Sequence, residues 1–433
     1  MNILEIIAKK RDNAKLSKEE IDYFIENYTK GEITDYQAAA LVMAIYINGM
    51  DYEETTNFTL AMAKSGEILD LSDLGFVVDK HSTGGIGDKI TMVLMPIVAA
   101  LGIPAAKMSG RGLGFTGGTI DKLESIPGYN TSISVEKFKN NVKNIGISIM
   151  GQTLNLAPAD KKLYALRDTI SCVGSIPLIA SSIMSKKIAA GADKIVLEVT
   201  VGSGAFMKNL DEAKELSETM INIGKQAGKQ SICVLTNMNE PMGYSVGNSL
   251  EVIETIEALS GKMEEDIKKV VLELGSYMIK LAGKGDDIEA NKKMILEIIE
   301  SGEALNKFRQ LVENQGGDVS YIDDVSKFES AKYIIPVLAD KAGYVASMDN
   351  EKIGYISCSL GAGRIRKEDE INNRVGLIIK KKIGDKVDVG DVLGYIHADD
   401  EEVGSRAAKS LVECYNYSEE FVEKQKQILG VLE

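Results

Sequence analysis

The stretch Val77 to Gly102, VVDKHSTGGIGDKITMVLMPIVAALG, joins a short apolar run, a polar turn carrying Gly84, Gly85 and Gly87, and a long apolar run. That order predicts strand, loop and helix, with the loop built to receive an anion. Glycines let the backbone come close to the ligand, while free amides and the helix dipole at the helix start favour negative charge. Lys80 adds a full charge and Ser82 a hydroxyl donor at the C-terminal end of the strand, where open parallel sheets bind ligands. Neither the Walker nor the dinucleotide spacing is present, so the turn alone does not name its ligand.

The next segment repeats the theme. KMSGRGLGFTGGTIDKLE, Lys107 to Glu124, follows another short apolar run and offers Ser109, Thr119 and more glycine-flanked amides. Two such loops from successive strands can enclose one phosphate, and simple turns rarely bring Lys, Ser and Thr together with the glycines. Further apolar runs, KIVLEV from Lys194 and SICVL from Ser231, alternate with helical stretches. The alternation predicts an α/β unit with a mostly parallel sheet over residues 70–156 and 192–335.

Around this unit lie two others. Ser17-x-x-Glu20, Thr34-x-x-Gln37 and Asp51-x-x-Glu54 are capping signatures that open periodic stretches, and Gly49 and Gly66 stand as candidate C-caps. They predict a helical unit over 1–66, rejoined by a helical segment at 157–191 that has Pro177 in its first turn. From 340 to 433 the chain turns to glycine-punctuated short strands, GYVASM, GYISCSLGAG and VGLIIKKKIGDKVDVGDVLGYIHA, read as a C-terminal unit of mainly β structure in an α+β setting. Its Gly384-Asp385 and Gly390-Asp391 steps resemble the hammerhead turns of biotinyl and lipoyl carrier domains in shape, without a modifiable lysine at a hairpin tip.

Composition sets the limits. With 433 residues, 44% of them hydrophobic and 26% charged, two or three packed units are expected. A net charge of -14 disfavours nucleic acid and anionic membranes and confines anion binding to local basic pockets. Cys172, Cys233, Cys358 and Cys414 are far apart with no paired spacing, which argues against a metal cluster or disulfide framework. The N-terminus has no signal-peptide pattern and no run reaches membrane-spanning length, so a cytoplasmic location is expected.

A third cluster, in LYALRDTISCVGSIPLIASSIMSKK from Leu163, places Ser182 and Lys186 four apart on one helix face, with Arg167 on the preceding helix. On their own these three read as solvated surface residues. Taken together, KHSTGGIGDK, KMSGRGLGFTGGTIDKLE, LYALRD, IPLIASSIMSKK and VGSGAFMK resemble the pyrimidine nucleoside phosphorylase and thymidine phosphorylase family along essentially the whole chain.

The resemblance implies a helical domain and a large α/β domain facing each other across a cleft, with a homodimer formed through the helical part. It implies reversible phosphorolysis of pyrimidine nucleosides to free base and pentose 1-phosphate. Phosphate would be held by Lys80, His81, Ser82, Thr91, Lys107, Met108, Ser109 and Thr119. The base would meet His81, Tyr164, Arg167, Ser182 and Lys186, with His81, Arg167 and Lys186 as the catalytic set. A potassium ion would be bound by backbone oxygens of Gly87, Lys89, Met242 and Ser245 and by the carboxylate of Glu254. Lysine at 107, where strict thymidine enzymes of the family carry methionine, implies acceptance of ribonucleosides.

Departures are visible too. Phe115 stands where the family commonly has histidine, and Glu198, Thr200, Asn237 and Glu240 are off the family pattern. Rival readings are a strict thymidine phosphorylase, a nucleoside-monophosphate phosphorylase, an anthranilate-type phosphoribosyltransferase and a catalytically dead nucleoside-binding protein. The phosphoribosyltransferase should show an acidic pair for a metal-bound diphosphate, and these loops offer no obvious one.

Overall fold

Three capping boxes shape the start of the chain. Glu20 accepts from the Ser17 amide at 2.7 Å, Gln37 from the Thr34 amide at 3.2 Å and Glu54 from the Asp51 amide at 3.0 Å. They open helices α2 (Lys18–Lys30), α3 (Asp35–Asn48) and α4 (Tyr52–Ala63), preceded by α1 (Ile3–Arg11). The structure, a computed structural model, describes residues 1–112, 117–152, 155–364, 366 and 369–433. Phe115 lies outside the described residues.

The chain then runs through β1 (Val78–Ser82), α5 (Ile90–Ala100), β2 (Ala105–Ser109), α6 (Thr119–Leu123), α7 (Val135–Ile145) and β3 (Ile147–Gly151). It continues through α8 (Pro158–Thr169), α9 (Ile176–Ala189), β4 (Lys194–Val201), α10 (Leu210–Gln226) and β5 (Gln230–Asn237). Strands β1, β4 and β5 pair in parallel, in register from Val78 opposite Lys194 and Lys194 opposite Gln230, while β2 and β3 form a separate parallel pair. Helix α5 is buried on every side, from Ile90 to Ala99, which is why its sequence is apolar without a polar face.

Helix α8 lies outside that core and α9 is shared, its Ala180, Ile183 and Met184 packing with Ile195, Leu216 and Cys233 of β4, α10 and β5. Ala159, Leu163, Cys172 and Leu178 pack with Ile21, Phe24, Tyr28, Leu41 and Phe58 of the N-terminal helices. The three segments where the chain passes between the helical and α/β parts lie together. The Glu67 amide donates to Asn155 O at 2.9 Å and the Leu69 amide to Ala189 O at 2.8 Å. Gly66 reads in sequence as a helix C-cap, but α4 is closed by Lys64. The glycine serves this crossing instead, because a Cβ there would sit 2.0 Å from Asn155 O.

Past β5 come β6 (Ser245–Val246), α11 (Asn248–Leu259) and α12 (Glu265–Leu281), then the C-terminal strands β7 (Tyr333–Leu338), β8 (Gly343–Met348), β9 (Gly376–Ile379), β10 (Lys386–Val387), β11 (Val392–Ala398), β12 (Tyr415–Ser418) and β13 (Ile428–Leu432). These form two antiparallel sheets, in the orders β10-β8-β12 and β6-β9-β11-β7. The second sheet takes β6 from the preceding unit, and β13 returns to pair antiparallel with β5. The two units are therefore stitched together at two places. GYISCSLGAG, read as a short strand, is mostly helix instead. Asp349 caps a helix over Asn350–Ser359 whose Ile353, Ile356 and Ser357 are buried at helical spacing, a period too short to separate from a strand by eye.

Candidate functional site

Strand β1 ends in Lys80, His81 and Ser82, and the loop that follows is pinned from both sides. Ser82 Oγ accepts from the Gly84 amide at 3.1 Å, and Thr200 Oγ1 on β4 donates to Gly84 O at 2.6 Å. Lys80 is fully buried. Its ammonium sits 2.7 Å from Glu198 Oε2 and 3.5 Å from Thr91 Oγ1. Burial pulls the Lys80 pKa down, but Asp88 and Glu198 outweigh it, so the lysine stays charged. Glu198 and Thr200, off the family pattern in sequence, thus align the charged lysine and fasten the loop.

The Lys107 ammonium, projecting from β2, donates to Lys80 O at 2.5 Å and lies 3.4 Å from Asp79 Oδ1. Asp79 Oδ2 is also held by Lys187 of α9 at 2.7 Å, a buried ion pair between the helical part and β1. His81 faces this group of cations. Burial first, then Lys187, Lys107, Lys186 and Lys80, drive its pKa well below the ordinary imidazole value, so it is neutral near pH 7 and acts as a hydrogen-bond donor or acceptor.

The third cluster is not a solvated surface. Ser182 and Arg167 are buried, and Lys186 donates to Asp160 Oδ2 at 2.6 Å and to Ser182 Oγ at 2.8 Å. Arg167 donates to the carbonyls of Cys172, Val173 and Leu178 at 3.1, 2.7 and 3.1 Å, which fixes the turn between α8 and α9. Its guanidinium lies 5.9 Å from the Tyr164 ring centre, and Tyr164 is partly exposed. Sequence reasoning misses Asp160. Its spacing to Tyr164 and Arg167, i, i+4 and i+7 on α8, puts all three on one helix face and is the signal that could have found it.

Ser109 closes β2 and Thr119 opens α6, on either side of residues 113–116, which lie outside the described part. Asp121 takes the Gly112 amide at 2.7 Å and pairs with Arg111 and Arg364 at 3.0 and 2.8 Å. Arg364 brings the C-terminal unit to this loop, a contact with no sequence signal of its own. Elsewhere Glu240, just after β5, meets the C-terminal unit by accepting from the Ile383 amide at 2.9 Å.

Sequence comparison fixes the family. Residues 4–66 match the helical bundle domain of the glycosyl transferase family, residues 74–305 its a/b domain, and residues 344–418 the pyrimidine nucleoside phosphorylase C-terminal domain. Over 404 residues, 93% of each chain, the protein is 52% identical to the pyrimidine-nucleoside phosphorylase of Staphylococcus haemolyticus and 51% identical to that of Geobacillus stearothermophilus. The chain belongs to the pyrimidine-nucleoside phosphorylase family. Among solved structures, anthranilate phosphoribosyltransferase from Thermus thermophilus matches 72% of this chain and 99% of its own, at a TM-score of 0.59 and 18% identity, a likeness of fold.

The residues expected to ligate potassium also converge, but around a different cation. Met242 O and Ser245 O accept from the Lys89 ammonium at 2.6 and 3.3 Å, and Glu254 Oε2 is 3.0 Å from it. A Cβ on Gly87 would lie 2.6 Å from Met242 O, so the glycine is what lets the loop approach. The carbonyl of Lys89, expected as a ligand, accepts from the Met92 and Val93 amides at the start of α5. With the side chain of Lys89 among them, these oxygens do not fit an added potassium ion.

Proposed function

We propose that the protein catalyses phosphorolysis of pyrimidine nucleosides, uridine, thymidine and deoxyuridine among them, giving free base and pentose 1-phosphate in nucleoside salvage. The observation that supports this most directly is the meeting of two differently equipped ends. The C-terminal end of β1 offers Lys80, His81 and Ser82, and α9 offers Ser182 and Lys186, with the Asp79–Lys187 pair holding the two together. The loop ligands Lys80, Ser82, Thr91, Ser109 and Thr119 suit inorganic phosphate. Tyr164, Ser182, Lys186 and neutral His81 suit the flat, polar edge of a pyrimidine.

Between them the pentose presents C1′ to the phosphate, which attacks from the face opposite the base. The carbon–nitrogen bond breaks with its electron pair moving to the base, and the sugar is cationic in the transition state. Lys186 faces the charge that develops on the base oxygens, where a charge-assisted bond strengthens as the reaction proceeds. Arg167 secures the α8–α9 turn and adds positive potential on the same side. Incubation with uridine, thymidine and deoxyuridine, with and without phosphate, tests the reading: base release must require phosphate, and its absence under all conditions would favour a nucleoside-binding protein.

Dimerisation through the helical part belongs to the same reading. Leu4 on α1 and Tyr36 and Ile47 on α3 are exposed, apolar positions suited to a self-complementary contact. A cytoplasmic setting agrees with the burial of all four cysteines. Among the described residues no helix is long and apolar enough to cross a membrane.

Turnover requires the two ends to approach, because phosphate and base are held by different units. The segments 66–69, 155–159 and 189–191 pass side by side between the units, so the hinge is expected there. Small-angle scattering should show a smaller radius of gyration with phosphate and a non-reactive nucleoside analogue bound together than with neither. Superimposable profiles would remove closure from the mechanism.

A further inference from the structure

Lys89 is the residue just before α5, directly after the loop of Gly84, Gly85 and Gly87, and its side chain reaches the same carbonyls of Met242 and Ser245 that Gly87 approaches. It is fully buried. A lysine ammonium has three hydrogens to donate, and three oxygens meet it here: Met242 O, Ser245 O and Glu254 Oε2. The other two N–H donors aimed at Glu254 come from the Tyr244 and Ser245 amides, at 2.7 and 2.8 Å, so the carboxylate holds the whole 242–245 turn in place.

Charge is balanced locally. Glu251, one helical turn before Glu254, has its own partner in Lys122 at 2.6 Å. Each buried carboxylate therefore has one buried ammonium, and a further cation would meet net positive charge. Burial works against a charged Lys89, but Glu254 and Glu251 more than offset it and its pKa is raised. The pair also reaches further, since Ser245 begins β6, which pairs with β9 of the C-terminal unit.

We propose that the Lys89 ammonium is a tethered replacement for a monovalent cation: the protein needs no potassium to hold its phosphate loop against the 242–245 turn, and Lys89→Ala converts the same oxygens into a binding site for free potassium or ammonium. Lys89 is a positioning residue under this proposal, acting on phosphate through the start of α5. The inference stands apart from the choice of nucleoside, because its first readout is thermal unfolding without substrate.

Unfolding of the native protein is measured in potassium chloride and in tetramethylammonium chloride at equal ionic strength, and the midpoint should agree within about 1 °C, since a ligand that does not bind does not stabilise. Lys89→Ala should lose several degrees in tetramethylammonium and recover most of them as potassium or ammonium is added, the midpoint climbing with the logarithm of concentration. Lys89→Met fills the space without charge and should lose stability with no recovery in either salt. In Lys89→Ala the KM for phosphate should rise about tenfold in tetramethylammonium and return in potassium, with kcat moving less. Potassium-specific stabilisation of the native protein overturns the proposal even if both variants fail to fold, and so does a folded Lys89→Ala that ignores potassium.

Discussion

Lys186→Ala should lower kcat/KM for every accepted nucleoside by about tenfold to a hundredfold or more, the equivalent of one charge-assisted hydrogen bond worth roughly 1.5 to 3 kcal/mol. The geometry sharpens where the loss falls. In the resting protein the ammonium is shared between Asp160 and Ser182, so it is already aimed and needs no reorganisation when charge develops on the base. The loss should therefore fall mainly on kcat. Arg167→Ala should reach at least the same loss by another route, because it releases the carbonyls of Cys172, Val173 and Leu178 and loosens the α8–α9 turn. It should also unfold at lower temperature. Steady-state kinetics with thermal unfolding on both variants separates the two: full activity in Lys186→Ala would remove that residue from the base site, and an unchanged unfolding midpoint in Arg167→Ala would deny its hold on the turn.

That difference between two cationic residues marks how far the sequence can be read. Strands β1, β4 and β5, the capped N-terminal helices and the Ser182/Lys186 pair are legible because each depends on local order: alternation, capping chemistry and a four-residue step. Arg167 can be placed beside the base by resemblance, but its three carbonyl partners come from a turn whose path is set by packing against the N-terminal helices. Glu198 and Thr200 look like bare deviations until β4 is seen beside β1, where the pairing of Ser82 with Glu198 brings the carboxylate to Lys80. Asp79 gives no signal at all, since its partners Lys107 and Lys187 lie on β2 and α9. The C-terminal helix over Asn350–Ser359 reads as a strand because ten residues hold too few turns for its period to show. For the buried charges, the missing information is a contact between segments distant in the chain.

Lys107 carries the second prediction, that uridine is accepted beside deoxyuridine and that Lys107→Met removes uridine selectively. A 2′-hydroxyl brought into a closed cleft needs a hydrogen-bond partner, which an amine supplies and a thioether does not. Leaving it unpaired costs on the order of 1 to 3 kcal/mol, about tenfold to a hundredfold in kcat/KM against uridine with deoxyuridine little changed. The substitution is tolerable because Asp79 keeps Lys187 at 2.7 Å and the Lys80 amide at 2.8 Å. Burial lowers the Lys107 pKa to about 7, with Lys187 and Lys80 adding to the effect and Asp79 opposing it. The folded protein therefore sheds a proton that the unfolded chain keeps up to its ordinary value of 10.5, and the contribution of Lys107 to stability rises with pH from about 7 to that value. The difference in unfolding free energy between native protein and Lys107→Met should follow that slope, in favour of the native protein as pH increases. An equal loss on uridine and deoxyuridine would show that Lys107 serves phosphate and does not read the sugar, and a pH-independent stability difference would show that its ammonium is not destabilised by burial.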